Sequence, residues 1–351
     1  MVAGIDHRPV SWFRLAAAAE LEQIHRLNAE YVFLEATPNA AFGARAGLVP
    51  LPLGLMNAAH VPTTFPSVDR PLTDRLILPT TWRELGIGVF GRLGDDLRYD
   101  LGLVSGLDAA GFSATAPLWA GRGNGRTIAV HDAAVVGRIE LGRTPTGFAI
   151  GGGGYYGGAS GGRAELEGVR VAVAEADARY HGSGFDVRAQ ISEVFIVNSY
   201  KVNDYLGLLG QDAVPALGRG FYGQVGCDVL ALASADTKQE LTFFAGYENV
   251  NPRSRMSQYN FNPPSITGPG EKPPNAPSSS KSFVRGGISY RPLTALAVKA
   301  DLQVALDAEG ASPLPPMTVM GAPGVPAPLP GFLTEAARGR TRVAFALAWG
   351  F

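Results

Sequence analysis

Apolar and polar residues alternate along most of this chain with a period of two, the mark of strands whose two faces meet different media. In LAVKADLQVAL, Leu296, Val298, Ala300, Leu302, Val304 and Leu306 share one side, and Lys299, Asp301 and Gln303 the other. FDVRAQIS sets Val187, Ala189 and Ile191 against Asp186, Arg188 and Gln190, and DLRYDLGLV sets Leu97, Tyr99, Leu101 and Leu103 against Arg98, Asp100 and Gly102. The final RVAFALAWGF continues the theme, with Val343, Phe345, Leu347, Trp349 and Phe351 on one side and small residues on most of the other. Helical periodicity is confined to one brief stretch, YKVNDYLGLLG at 200–210. A single amphipathic strand suits a soluble sandwich as well as a barrel. A chain built almost wholly of them needs a medium for all the apolar sides.

The connections supply the direction of the argument. Short ones at 37–41, 93–97, 143–147, 180–184, 234–239 and 291–295 take turns with long ones at 53–82, 109–126, 200–218, 253–280 and 308–339. Segments 23–28 and 161–168 are shorter members of the long class. Tight turns on one rim and long loops on the other is the outer-membrane barrel pattern. The predicted fold is therefore all-β: a transmembrane antiparallel up-and-down β-barrel of about fourteen strands, range about twelve to sixteen. It forms one domain over 1–351. The expected strands lie near 11–22, 29–37, 42–52, 83–93, 97–108, 127–143, 147–160, 169–180, 185–199, 219–233, 240–252, 281–291, 295–307 and 340–351. Closure requires the last of these to pair with the first, around SWFRLAAAAELE, so that no strand edge meets lipid.

Composition sharpens this picture. Charged residues make up 17% of the chain against about 25% in ordinary soluble domains, while hydrophobic residues reach 46% and glycine 45 positions. Thirty basic and 31 acidic side chains leave a formal charge of −1, so there is no basic footprint for nucleic acid. The single Cys227 rules out an intrachain disulfide and a cysteine metal cluster. No apolar run approaches the roughly 18 residues of a membrane-spanning helix. The opening MVAGIDHRPVSWF has no basic segment followed by an apolar core, so the leader of an exported protein is expected to lie outside it.

Two stretches resemble known proteins. Val343, Phe345, Leu347, Trp349 and Phe351 match the C-terminal strand of Gram-negative outer-membrane proteins. That resemblance implies targeting to the bacterial outer membrane through the barrel-assembly machinery. The first third resembles the phosphate-selective porin (O/P) type at Gly47, Pro52, Gly54, Arg83, Gly86, Gly88, Tyr99, Gly102 and Gly106, with Ser105 where the family pattern has Asn before Gly. It implies a porin-like channel for small hydrophilic solutes or ions, surrounded by outer-membrane lipid, with a homotrimer left open.

The long segment 53–82 combines prolines with Phe65, Leu76, Ile77 and Leu78, an apolar load unusual for a loop in water. It is expected to fold into the barrel as a constriction, with His60, Asp69, Arg70, Asp74 and Arg75 lining the pore. Strand parity adds Arg138, Arg188, Arg285, Lys299 and Arg342 as wall residues of the pore, and their sign suggests mild anion preference. The competing reading pairs such charges across neighbouring strands as wall ties. The run GGGGYYGGASGG at 151–162 lacks the Lys and Ser/Thr of a nucleotide loop, and reads as close packing or as room for the inward loop. His131-Asp132 has no spaced serine partner, and the five histidines show no metal-ligand spacing. The reading is a passive channel with no catalytic residue, cofactor or metal. The alternative is a plugged structural or adhesive barrel displaying its long loops.

Overall fold

The computed structural model describes residues 2–22, 26–58, 62–125, 131–143, 146–234, 237–257, 280–307, 334–338 and 341–349. Among these residues sixteen strands form one antiparallel sheet. The first eight are β1 (Val2–Val10), β2 (Phe13–Glu22), β3 (Arg26–Asn39), β4 (Phe42–Pro50), β5 (Arg83–Leu93), β6 (Leu97–Ser105), β7 (Ala133–Gly142) and β8 (Gly147–Gly158). The others are β9 (Arg170–Gly182), β10 (Phe185–Val197), β11 (Leu217–Asp228), β12 (Glu240–Arg255), β13 (Lys281–Leu293), β14 (Leu296–Ala305), β15 (Thr334–Arg338) and β16 (Thr341–Trp349). Each strand from β1 to β14 pairs with its sequence neighbour, and β16 lies between β14 and β15. Among the described residues no helix is long and apolar enough to cross a membrane. The predicted helical stretch is α2 (Ser199–Leu206), preceded by α1 (Gly54–Ala58) and followed by α3 (Val229–Ala233).

All fourteen expected strands are present, and two more flank them. β1 escaped the alternation because Asp6, His7, Arg8 and Pro9 interrupt its apolar pattern, yet it pairs with β2 from Val2↔Glu20 to Val10↔Phe13. β15 is five residues long and joins the outer side of β16. The expected pairing of the last strand with 11–22 is therefore corrected. β2 is flanked by β1 and β3, β16 by β14 and β15, and the outermost strands of the ladder are β1 and β15.

The two faces of the sheet sort as the period-two pattern requires. On the convex face Ile87, Leu103, Val135, Ile139, Ile191, Phe243, Val298 and Phe345 are exposed. On the concave face Val136, Val173, Gln190, Val194, Glu248, Lys299, Asp301 and Gln303 are buried. β9 departs in kind: its outward positions from 172 to 178 are alanines, while Val171 and Val173 turn inward with Glu175 and Asp177. What buries many of these inward side chains is chain, since residues 51–57 and 63–82 lie against the concave face.

Candidate functional site

The segment between β4 and β5 begins and ends at one staple. Leu51 N donates to Trp82 O at 2.9 Å, and the Asn57 amide donates to Leu51 O and Trp82 O while its Oδ1 accepts from Trp82 N at 2.6 Å. Leu51, Leu53, Leu72, Ile77, Leu78 and Trp82 then pack with Val104, Val136, Tyr155, Val171, Val173, Val194, Val250 and Phe283 of the wall. Burying apolar side chains in this way gives the segment a core of its own, which a loop in water lacks.

Polar anchors fix its path across the sheet. Leu55 N donates to Gln190 Oε1 at 2.8 Å, and Gln190 Nε2 donates to Asp74 Oδ1 at 2.8 Å. Thr73 N donates to Glu248 Oε1 at 2.6 Å, and Val68 N donates to Asp301 Oδ2 at 2.8 Å. Lys299 Nζ donates to Phe65 O and, at 3.0 Å, to Ser67 O, and stands 4.2 Å from the Phe65 ring centroid. Arg285 Nη1 donates to Asp69 O at 2.9 Å, and Arg342 Nη2 to Asp69 Oδ2 at 2.7 Å. These contacts reach β10, β12, β13, β14 and β16. Asp74 is fully buried in the one-turn π-helix Thr73–Ile77, and burial pushes its carboxyl up to about 7.

The other side of the interior carries arginines. Arg98, Arg138 and Arg179, on β6, β7 and β9, all reach Glu140. Arg138 also meets Glu175 at 2.7 Å and Asp177 at 2.6 Å, and Arg45 pairs with Asp100. Glycine in β8 makes the room: a Cβ added at Gly151 would fall 2.3 Å from Arg138 Nη2, and one at Gly153 would fall 2.6 Å from Glu175 Oε1 and 3.3 Å from Leu53 Cδ2. Between this wall and the inner segment lies a cavity of about 510 Å³, bounded by Pro52, Gly54 and Leu55 on one side and Arg98, Arg138 and Arg179 on the other.

Of the residues expected to line a pore, Asp69 and Asp74 are buried anchors, Arg70 and Arg75 are half-buried on the same segment, and His60 lies outside the described residues. Arg285, Lys299 and Arg342 hold the segment from the wall, and Arg138 faces the cavity. Arg188 forms a bidentate pair with Asp186, at 2.6 and 2.9 Å, and donates to Thr64 O. At the C-terminus Phe345 and Leu347 face outward and Val343 is half-exposed; the side chain of Trp349, and Phe351 altogether, lie outside what is described. Glu248, Glu175, Arg45 and Asn57 are additional to the expected set. Extending the alternation through Phe244 would have put Glu248 on the inner face. Asn57 carried no signal, because its role depends on where Leu51 and Trp82 meet.

No family model matches the sequence. An uncharacterized protein of Aquifex aeolicus (strain VF5) is 31% identical over 287 residues, 80% of this chain. The chain spans 62% of the length of that curated relative. Among solved structures it is similar to OmpF of Salmonella typhi in complex with daunomycin (TM-score 0.56, 9% identity, 100% of this chain and 89% of that one). It is also similar to the anion-selective porin from Comamonas acidovorans (TM-score 0.53, 9% identity, 99% and 87%) and to OprB of Pseudomonas putida (TM-score 0.51, 9% identity, 99% and 85%). The chain therefore has the antiparallel up-and-down barrel fold of porins.

Proposed function

We propose that this chain is a bacterial outer-membrane channel through which small hydrophilic solutes or ions diffuse passively. The observation that carries the reading is the sorting of the sheet: an outward band of exposed Ile, Leu, Val and Phe over an inward face of paired charges. A soluble monomer rarely leaves apolar patches beyond a few hundred Å² open to water. A barrel in lipid needs such a band. The short turns would face the periplasm and the long connections the outside. Aromatics near the short-turn rim, Phe148 and Tyr290 among them, suit the interface.

In this reading residues 51–82 narrow the lumen, and the passage runs between them and the Arg98, Arg138 and Arg179 wall. Mild anion preference follows from the arginines, and the stretch resembling phosphate-selective porins makes phosphate one solute to try. The outward face of the C-terminal strand is the part the assembly machinery would read, and trimers would form through the lipid-facing band. Recordings from protein reconstituted in planar bilayers, with a KCl gradient across the membrane, test this. Discrete openings with a reversal potential displaced toward the chloride equilibrium are expected. Openings with a potassium-directed potential remove the anion preference alone.

A second reading has its own support, the dense anchoring of 51–82 from Leu55 to Thr73 and Asp74. It is a plugged barrel displaying its long loops. Folded, inserted protein that never opens would favour it.

A further inference from the structure

The cavity between the inner segment and the arginine wall has two unlike sides. One is apolar: Pro52 and Leu55 of the segment and Phe90 of β5, whose ring centroid lies 4.9 Å from the Arg45 guanidinium. The other is the row Arg92, Arg98, Arg138 and Arg179, with Asp100 and Glu140 among them. Arg92, Arg98 and Glu140 lie near the short turns that bound β5, β6 and β7, so this side of the cavity sits toward the short-turn end of the lumen.

Most of the positive charge in the row is matched. Glu140 takes Arg98, Arg138 and Arg179, Arg138 adds Glu175 and Asp177, and Arg45 takes Asp100. The neighbouring groups balance as well: Arg188 with Asp186, and Arg8 and Arg14 with Asp6 and Glu35. With Arg92 the row and its partners hold five arginines against four carboxylates. The surplus is one positive charge. It falls at Arg92, which is exposed near the end of β5 and pairs with no carboxylate among the described residues.

Register makes that surplus a binding feature. Arg92 lies directly opposite Arg98 across β5 and β6, and both line the cavity. Like charges facing each other across a ladder repel. A carboxylate seated between the two guanidiniums turns that repulsion into attraction, since each planar fork has donors to give. A single surplus charge suits a monoanion better than a dianion such as phosphate. At about 510 Å³ the hollow is in the size range that takes a whole organic molecule, and Pro52, Leu55 and Phe90 offer its body an apolar surface.

We propose that this cavity selects an organic monocarboxylate with an apolar body, its carboxylate between Arg92 and Arg98 and its body against Leu55 and Phe90. The proposal rests on the channel reading above, for which it names the preferred solute.

Calorimetric titration of the full chain folded into nanodiscs, with sodium benzoate, benzamide, acetate and inorganic phosphate, tests this. Benzoate is expected to bind about tenfold more tightly than benzamide, which keeps the shape and drops the charge, and than acetate or phosphate, which lack the apolar body. Arg92→Gln is expected to weaken benzoate about tenfold. Phe90→Ala is expected to weaken benzoate about tenfold and to leave acetate unchanged, while Arg143→Gln, on the turn between β7 and β8 and outside the cavity, changes neither. Benzamide or phosphate binding as tightly as benzoate overturns the proposal, and so does benzoate binding that Arg92→Gln leaves intact. Planar-bilayer recordings separate it from the reading it rests on. Protein that opens in KCl and fails to distinguish the four ligands sinks the solute class alone, and protein that binds benzoate but never opens sinks the channel and keeps the site.

Discussion

At the scale of single residues, the inner segment is held mostly by wall side chains that meet its backbone. Lys299 donates to two carbonyls of the inner segment and stacks on the Phe65 ring. Lys299→Met keeps the volume but strands both carbonyls, so a loss of about 2 kcal/mol is expected in urea unfolding monitored in micelles. Asp74 gives a pH signature. Burial raises its carboxyl from 3.8 to about 7; the hydrogen bond from Gln190 and the nearby Tyr222 oppose the rise, while Glu248 and Glu175 add to it. The folded interior therefore favours the protonated form. The stabilisation is complete below about pH 4 and is lost as pH rises to and through about 7, on the order of 4 kcal/mol in all. Unfolding midpoints of wild-type protein are expected to fall between about pH 4 and 7, and Asp74→Asn is expected to flatten that slope. Lys299, Arg285 and Arg342 were legible as inward residues from parity alone. Their task was not, because alternation reports which face a side chain takes and not whether water, a solute or a loop awaits it there.

At the scale of elements, strand and turn lengths carried most of the information. β5, β6, β8 and β10 start within a residue of the sequence expectation, since tight turns bound them on one side and the inside-outside alternation holds throughout. β1 was hidden by its polar run, and β15 is too short for alternation to register. β9 shows that an outward face need not be large: its alanines oppose an inner face that keeps valines for the segment and carboxylates for Arg138. The glycines of β8 read, from sequence, as close packing or as room for an inward loop. Gly151 and Gly153 do leave that room, for Arg138 and for Leu53 with Glu175. Gly220 in β11 does the same for the loop, where an added Cβ would meet Thr73 Oγ1 at 2.7 Å and Ile77 Cγ1 at 3.3 Å. Gly220→Val should push the Thr73–Ile77 turn off the wall. Faster proteolytic cleavage within 62–82 and a destabilisation of about 1 to 3 kcal/mol are expected; an unchanged cleavage rate would show that the turn is held elsewhere.

At the scale of the whole molecule, the account depends on lipid covering the convex face. The uncancelled apolar band, the inner segment packed on the concave face and the low content of charged residues all follow if the sheet separates a bilayer from a polar interior. Each would be a liability in water. A nitroxide placed singly at Leu103, Val135, Ile139, Ile191, Val225 and Val298, with the protein in vesicles, reads the surroundings of that face directly. The account expects relaxation by dissolved oxygen to exceed relaxation by a water-soluble nickel complex at these positions. Nickel accessibility exceeding oxygen accessibility along the band would mean that water bathes it, and would contradict the account.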